Sequence, residues 1–229
     1  MSKNFLNRII TSFFLLSLLF LIIFSHQYIF LLSILIISII ILVESFNIFS
    51  KLIANISTVN KTSSEIFNLR FLILNLITFC YIFFIFCYLT YEIYRLEGSF
   101  FFLYVISICF FTDIGGYIFG KIIGGKKLSK ISPNKTISGT IGSFILSFVP
   151  LIIVLNFNVL NLELNLKNIM FCFLISLISQ LGDLFISFIK RKAKIKDTGK
   201  LLPGHGGALD RFDGIIFAIP FSYFLLKLI

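Results

Sequence analysis

The sequence predicts an all-α, polytopic integral membrane protein with about seven transmembrane helices. Three observations carry that prediction. The 229-residue chain is 58% hydrophobic and only 13% charged, with a mean hydropathy of +1.04, whereas soluble domains carry about a quarter charged residues. Several apolar runs approach or reach the roughly 20 residues that a helix needs to cross a bilayer core. Those runs are continuous rather than alternating, which argues against the strands of a membrane barrel.

The candidate spans follow in order: Ile9–Ser25, Tyr28–Val43, Phe71–Tyr91, Ser99–Gly120, Ile137–Phe157, Asn168–Ile189 and Gly214–Ile229. The first follows Lys3 and Arg8, as a secretory leader would. No small-residue cleavage site comes after it and a second apolar run begins at once, so it is read as retained. Glu44, Glu65, Glu92, Glu97 and Glu163 fall in loops or at span ends, where solvated surface is the expectation. Cys80, Cys87, Cys109 and Cys172 lie inside apolar runs without paired metal-ligand spacing and are read as small hydrophobes. No repeat or Pro- or Ser-rich linker divides the chain.

Orientation follows from Lys and Arg, which favour cytoplasmic loops. With the N-terminus inside, the basic residues gather in the N-terminal tail and the segments 44–70, 121–136 and 190–213. Only Arg95, Lys167 and Lys227 fall outside. The formal charge of +10 therefore sits mainly on one face. A basic face attracts anionic lipid headgroups. Nucleic acid is excluded as a partner, because these loops are short and hemmed in by spans.

Two acids stand in apolar helical sequence: Asp113 in "FFTDIGGYIFG" and Asp183 in "ISQLGDLFISFIKR". A charged side chain inside a membrane is costly and usually faces a cavity, a partner or an ion. Asp183 is read as functional, while Asp113 is balanced between a structural ion pair and a site. Gly115, Gly116 and Gly182 flank these acids and suit close approach of a helix or a ligand.

The segment "KDTGKLLPGHGGALDRFDG", residues 196–213 and the glycine after them, is polar between two apolar runs. Asp197, Asp210 and Asp213 lie on the same predicted face as the end of the Asp183 span, and together they offer hard oxygen ligands for Mg²⁺. Lys190, Arg191, Lys196, Lys200 and Arg211 suit phosphate oxygens. Gly204, Gly206 and Gly207 can present backbone N–H groups to an anion. His205 either contacts a phosphate or braces the loop. Acids for a metal beside bases for phosphates is the equipment of metal-assisted phosphoryl or nucleotidyl transfer.

A second basic loop, "GKIIGGKKLSKISPNKTISGTIG", fits G-x-x-x-x-G-K from Gly120 to Lys126. Lys127 stands where a P-loop has Ser or Thr, and a membrane span rather than a strand precedes it, so a phosphate-binding P-loop is rejected. Ser132, Lys135 and Thr136 remain candidate phosphate contacts at the turn marked by Pro133 and Asn134.

These residues resemble the phosphatidate cytidylyltransferase family, the CDP-diglyceride synthetases. The family signature runs S-x-x-K-R-x₄-K-D-x-G-x₂-L-P-x-H-G-G-x-x-D-R-x-D. This chain carries Ser187, Lys190, Arg191, Lys196, Asp197, Gly199, Leu202, Pro203, His205, Gly206, Gly207, Asp210, Arg211 and Asp213 in that register. "QLGDLFIS", "TDIGGYIFG" and "SPNKTISG" resemble further family elements, so the resemblance covers about Asp113 to Asp213. The chain departs from the family at Ile137 and Ser138, where Trp-Glu is usual, and in having fewer N-terminal spans.

The resemblance implies transfer of CMP from CTP to phosphatidic acid, giving CDP-diacylglycerol and pyrophosphate. It implies a division of the chain into N-terminal spans and a cytoplasmic loop over residues 1–70 and a membrane-embedded catalytic region over 71–229. Asp183 and Asp210 would bind Mg²⁺, with Asp213 and Asp197 as second choices and room for a second cation. Asp183, Asp210, Lys196 and Asp197 form the implied catalytic set. Lys190, Arg191, Arg211, His205, Gly206 and Gly207 would hold phosphates, and Ser132, Lys135 and Thr136 would contact CTP or the lipid phosphate. The resemblance further implies a bacterial inner-membrane protein, a site open to the cytoplasm and to the bilayer, and a homodimer. Three competing readings are a CTP-using lipid kinase, which releases CDP; a transporter with Asp113 and Asp183 on an ion path; and an inactive scaffold.

Overall fold

The computed structural model describes residues 3–60, 64–128, 132, 135–199, 201 and 206–228. Among them the architecture is helical: α1 Lys3–Ile23, α2 Gln27–Asn60, α3 Ser64–Cys80, a π-helical stretch Tyr81–Cys87, α4 Tyr88–Ile122, α5 Ile137–Leu146, α6 Val149–Phe157, α7 Leu166–Lys192, α8 Leu209–Phe212 and α9 Ile215–Leu228. No strand forms among the described residues; Lys127 and Thr136 make an isolated antiparallel bridge. Among the described residues, four helical stretches are long and apolar enough to cross a membrane: Gln27–Asn55, Asn68–Ile122, Ile137–Phe157 and Leu166–Lys192. The protein is an all-α integral membrane protein.

One boundary differs from expectation. The segment from Glu44 onward, expected as a loop, continues α2 as helix to Asn60. The spans expected at 71–91 and 99–120 fall in the apolar helical stretch Asn68–Ile122 and stay distinct, because two helices meet there at a kink. The kink lies at Gly98, whose φ of 83° and ψ of 176° are non-helical. Glu92, expected as solvated, is 8% exposed and accepts a hydrogen bond from Arg95 at 2.9 Å one turn on. That i, i+3 pairing lets the polar stretch continue the helix instead of leaving it. Toward the C-terminus α9 spans 14 described residues.

The chain divides into two compact units. The first comprises Met1–Tyr91 and Ile189–Phe212, the second Glu92–Phe188 and Asp213–Ile229. In the first unit, α2 buries a stripe of Ile34, Ser38, Ile41, Ser45 and Ile48, spaced three and four residues apart as one helix face requires. Asn55 Nδ2 of α2 donates to the Ala193 carbonyl at 3.0 Å. That carbonyl stands just beyond the last turn of α7, where helices leave acceptors unsatisfied.

The second unit packs α4 on α5 and α7 through small and polar residues. A Cβ on Gly116 would stand 2.8 Å from Ser143 Oγ, and one on Gly139 would stand 2.8 Å from the Gly116 carbonyl oxygen. Small residues permit such approach between apolar helices. Buried hydroxyls find partners along the α4–α7 seam. Thr112 Oγ1 lies 2.9 Å from Ser176 Oγ, and Tyr104 Oη lies 3.0 Å from Cys172 Sγ. Ser147 ends α5, and Pro150 opens α6 in its first turn, where the missing N–H leaves no bond unmade.

Candidate functional site

The residues singled out in the sequence fall into two clusters, one in each unit. In the first unit α7 ends in a Schellman turn. Lys194, at φ 56°, donates its N–H to the Arg191 carbonyl at 3.1 Å, and Ile195 donates to the Lys190 carbonyl at 3.0 Å. This is the hydrogen-bond pattern that usually places glycine at the left-handed position. The turn reverses the chain into the signature loop.

Two carboxylates clasp the base of that loop. Asp210 Oδ1 receives Lys190 Nζ at 2.7 Å. Asp210 Oδ2 accepts the Thr198 N–H at 2.8 Å and the Gly207 N–H at 2.9 Å, with Thr198 Oγ1 at 3.1 Å. Both sides of the loop are therefore tied to one side chain. Burial pushes the Asp210 carboxyl up, but hydrogen bonds from Lys190, Gly207 and Thr198 and the Lys190 charge outweigh it and hold the group below its usual value. Lys190 is itself buried, at 8% exposure.

The second carboxylate is Glu44, and the sequence reading missed it. Glu44 is buried within α2 rather than solvated. Its Oε2 accepts Thr198 Oγ1 at 2.7 Å and the Leu209 N–H at 2.8 Å. Its Oε1 accepts the Ala208 N–H at 2.9 Å. One signal for it was present: Glu44 stands three residues after Ile41 and four before Ile48, on the buried side of a long helix.

In the second unit Asp183 of α7 forms an ion pair with Lys135, through Oδ2 and Nζ. Its Oδ1 lies 3.2 Å from Ser187 Oγ, which donates to it. The Asp183 side chain keeps 26% of its surface exposed, so it is the more open of the two paired aspartates. Gly182 beside it leaves no room for a side chain: a Cβ there would stand 2.9 Å from the Asp213 carbonyl oxygen and 2.6 Å from Phe217. Asp213 Oδ1 accepts the Gly214 N–H at 2.9 Å.

The loop before α5 supplies the remaining candidates of this unit. Thr136 caps α5, its Oγ1 accepting the Gly139 N–H at 3.1 Å, and it lies 3.0 Å from Ser138 Oγ. That hydroxyl thus already serves as an N-cap. The Ser132 carbonyl accepts the Lys135 N–H at 3.1 Å.

Other predicted residues are placed more loosely. Arg191, Lys196, Asp197 and Arg211 are exposed. Gly206 has φ 86°, a conformation that glycine adopts without strain. His205 lies outside the described residues, as do Lys200 and Gly204. Among the described residues, no group of three or more His, Cys, Asp and Glu side chains lies close enough to hold a metal ion by itself.

Residues 48–229 match the model of the Cytidylyltransferase family. The chain is 44% identical over 133 residues to a phosphatidate cytidylyltransferase of Staphylococcus haemolyticus, covering 58% of this chain and 51% of that protein. It is 42% identical over 133 residues to the phosphatidate cytidylyltransferase of Staphylococcus saprophyticus and 44% identical to that of Staphylococcus aureus, with the same coverage. The chain thus spans about half the length of the curated relatives it matches. With four-fifths of its residues inside the family match, the chain belongs to the cytidylyltransferase family.

Proposed function

We propose that the protein is a phosphatidate cytidylyltransferase, transferring CMP from CTP to phosphatidic acid to give CDP-diacylglycerol and pyrophosphate. The observation that carries this reading is the clasped loop itself. Residues of the family signature, Lys190, Asp210 and Gly207, lock together at 2.7 and 2.9 Å in a chain whose named relatives are phosphatidate cytidylyltransferases.

The reaction joins two polyanions. The phosphate oxygen of the lipid attacks the α-phosphorus of CTP, the α–β bridge breaks, and pyrophosphate leaves with the electron pair. That oxygen is already ionised near neutral pH, so no side chain need deprotonate it. The difficulty is charge repulsion, and fixed cations lower it. Arg191, Lys196 and Arg211 are exposed, and their side chains would reach phosphate oxygens. Lys135 can exchange Asp183 for a phosphate, and His205, Gly206, Ser132 and Thr136 complete the proposed binding set. Asp197 orients a lysine or a ligand.

Mg²⁺ usually binds through one or two carboxylates plus substrate phosphates, and the partly open Asp183 fits that mode without a protein cage. In this proposal Asp183 holds Mg²⁺ together with CTP, Asp213 stands close by through its backbone contact with Gly182, and Asp210 mainly holds the loop. The metal supplies charge neutralisation at the triphosphate. The basic loops face the cytoplasm of a bacterial plasma membrane, where CTP is found, and the lipid enters from the bilayer. The homodimer rests on the family resemblance alone.

The test is product identity. Protein in mixed micelles with Mg²⁺, CTP and phosphatidic acid releases pyrophosphate only when both substrates are present. Release of CDP with no pyrophosphate would instead favour a lipid kinase.

A further inference from the structure

We propose that Glu44 is a positioning residue for the nucleotide site. It would set the signature loop in the conformation that receives CTP, acting through Thr198 and the backbone of Ala208 and Leu209. The inference rests on the reading above and deepens it. Glu44 lies outside the 48–229 stretch that matches the family, and Thr198 occupies a variable position of the signature.

The geometry is specific to a carboxylate. Glu44 receives three donors, the Thr198 hydroxyl and the N–H groups of Ala208 and Leu209, at 2.7, 2.9 and 2.8 Å. A glutamine there would turn an N–H₂ group toward at least one donor. Glu44, Thr198, Ala208 and Leu209 are all buried, so water cannot freely replace a lost acceptor, and an unsatisfied buried donor is costly.

The glycines bear out the tightness of the fit. A Cβ on Gly199 would stand 2.7 Å from Glu44 Oε1, and a Cβ on Gly207 would overlap both Glu44 oxygens and Thr198 Oγ1. Asp210 and Glu44 therefore hold the same two stretches of loop from different elements, and Thr198 Oγ1 lies within reach of both, at 3.1 and 2.7 Å. Asp210 belongs to the loop it ties. Glu44 comes from α2, 154 residues before Thr198, and anchors the loop to a long apolar helix.

The experiment uses the full chain in mixed micelles. CTP affinity in the presence of Mg²⁺ is measured by equilibrium binding, alongside kcat, both KM values and the thermal midpoint. The variants are Glu44→Gln, Glu44→Asp, Thr198→Val and the Glu44→Gln/Thr198→Val pair. The expected result is a loss of CTP affinity of about tenfold to a hundredfold in Glu44→Gln, the scale of a remote misplacement. KM for phosphatidic acid stays unchanged, Glu44→Asp recovers part of the loss, and Thr198→Val adds little once Glu44 is changed. Wild-type CTP affinity in Glu44→Gln would overturn the proposal. So would parallel loss of CTP affinity, lipid KM and thermal midpoint in both Glu44 variants, which marks a general fold defect. If the wild type binds CTP without transferring it, the reaction reading falls while the positioning role is still judged by CTP affinity.

Discussion

Lys190 Nζ and Asp210 Oδ1 stand 2.7 Å apart with 10% and 9% of their side chains exposed, an ion pair enclosed at the base of a loop that carries most of the family signature. Enclosure makes the pair asymmetric in its consequences. Intact, it offsets the desolvation of both charges; broken, it leaves one charge buried without compensation. Asp210→Asn and Lys190→Met should each lower stability by about 3 kcal/mol. The double variant should cost less than the sum, because both singles break one interaction. Denaturation in detergent measures all three.

The pH dependence follows from the same aspartate. Its folded pKa is depressed, so the stabilisation is fully present above the ordinary carboxylate value of about 3.9. It declines as pH falls below that value and is gone once pH passes through the lower folded pKa. Between pH 8 and 5 the stability difference between wild type and Asp210→Asn should stay constant. It should shrink only below about pH 4. Thermal midpoints of both proteins across this range decide it.

Metal binding should depend on nucleotide. No described cluster of three metal-ligating side chains exists, so Mg²⁺ alone should bind weakly and CTP should tighten it. Titration of Mg²⁺ by calorimetry with and without CTP tests this. Lys135→Met should raise KM for CTP about tenfold, the loss of one charge-assisted contact, and Lys135→Arg should restore part of it.

The glycine contacts give a steric prediction. Gly207→Ala places a methyl group on Thr198 and Glu44. It should cost about 1–3 kcal/mol of stability as overpacking and lower activity with it. Gly124→Ala meets nothing within 4 Å, and its cost should be only the strain of a positive φ, about 1–2 kcal/mol. Comparing the two thermal midpoints separates crowding from backbone strain.

Much of this was legible in the sequence, for identifiable reasons. Continuous apolar runs report helices because only helices and closed barrels satisfy their backbone hydrogen bonds in lipid, and barrel strands alternate. The signature loop was visible because its acids, bases and glycines are local in the chain. Glu44 and Glu92 were misread because a single acid in a helical run has no local pattern that reveals its partner. The Glu44 partners lie 154 to 165 residues away, and only the folded chain brings them together. The break between the spans at 71–91 and 99–120 was legible, since the structure kinks at Gly98, whereas the pairing of Glu92 with Arg95 was not.

The most direct measurement follows the α-phosphate of CTP. Wild-type protein in mixed micelles with Mg²⁺, phosphatidic acid and α-labelled CTP should place the label in CDP-diacylglycerol. Asp183→Asn, folded and of wild-type thermal midpoint, should place little or none there. Label that never enters lipid with the folded wild type, across phosphatidic acids of different chain length, would contradict the account.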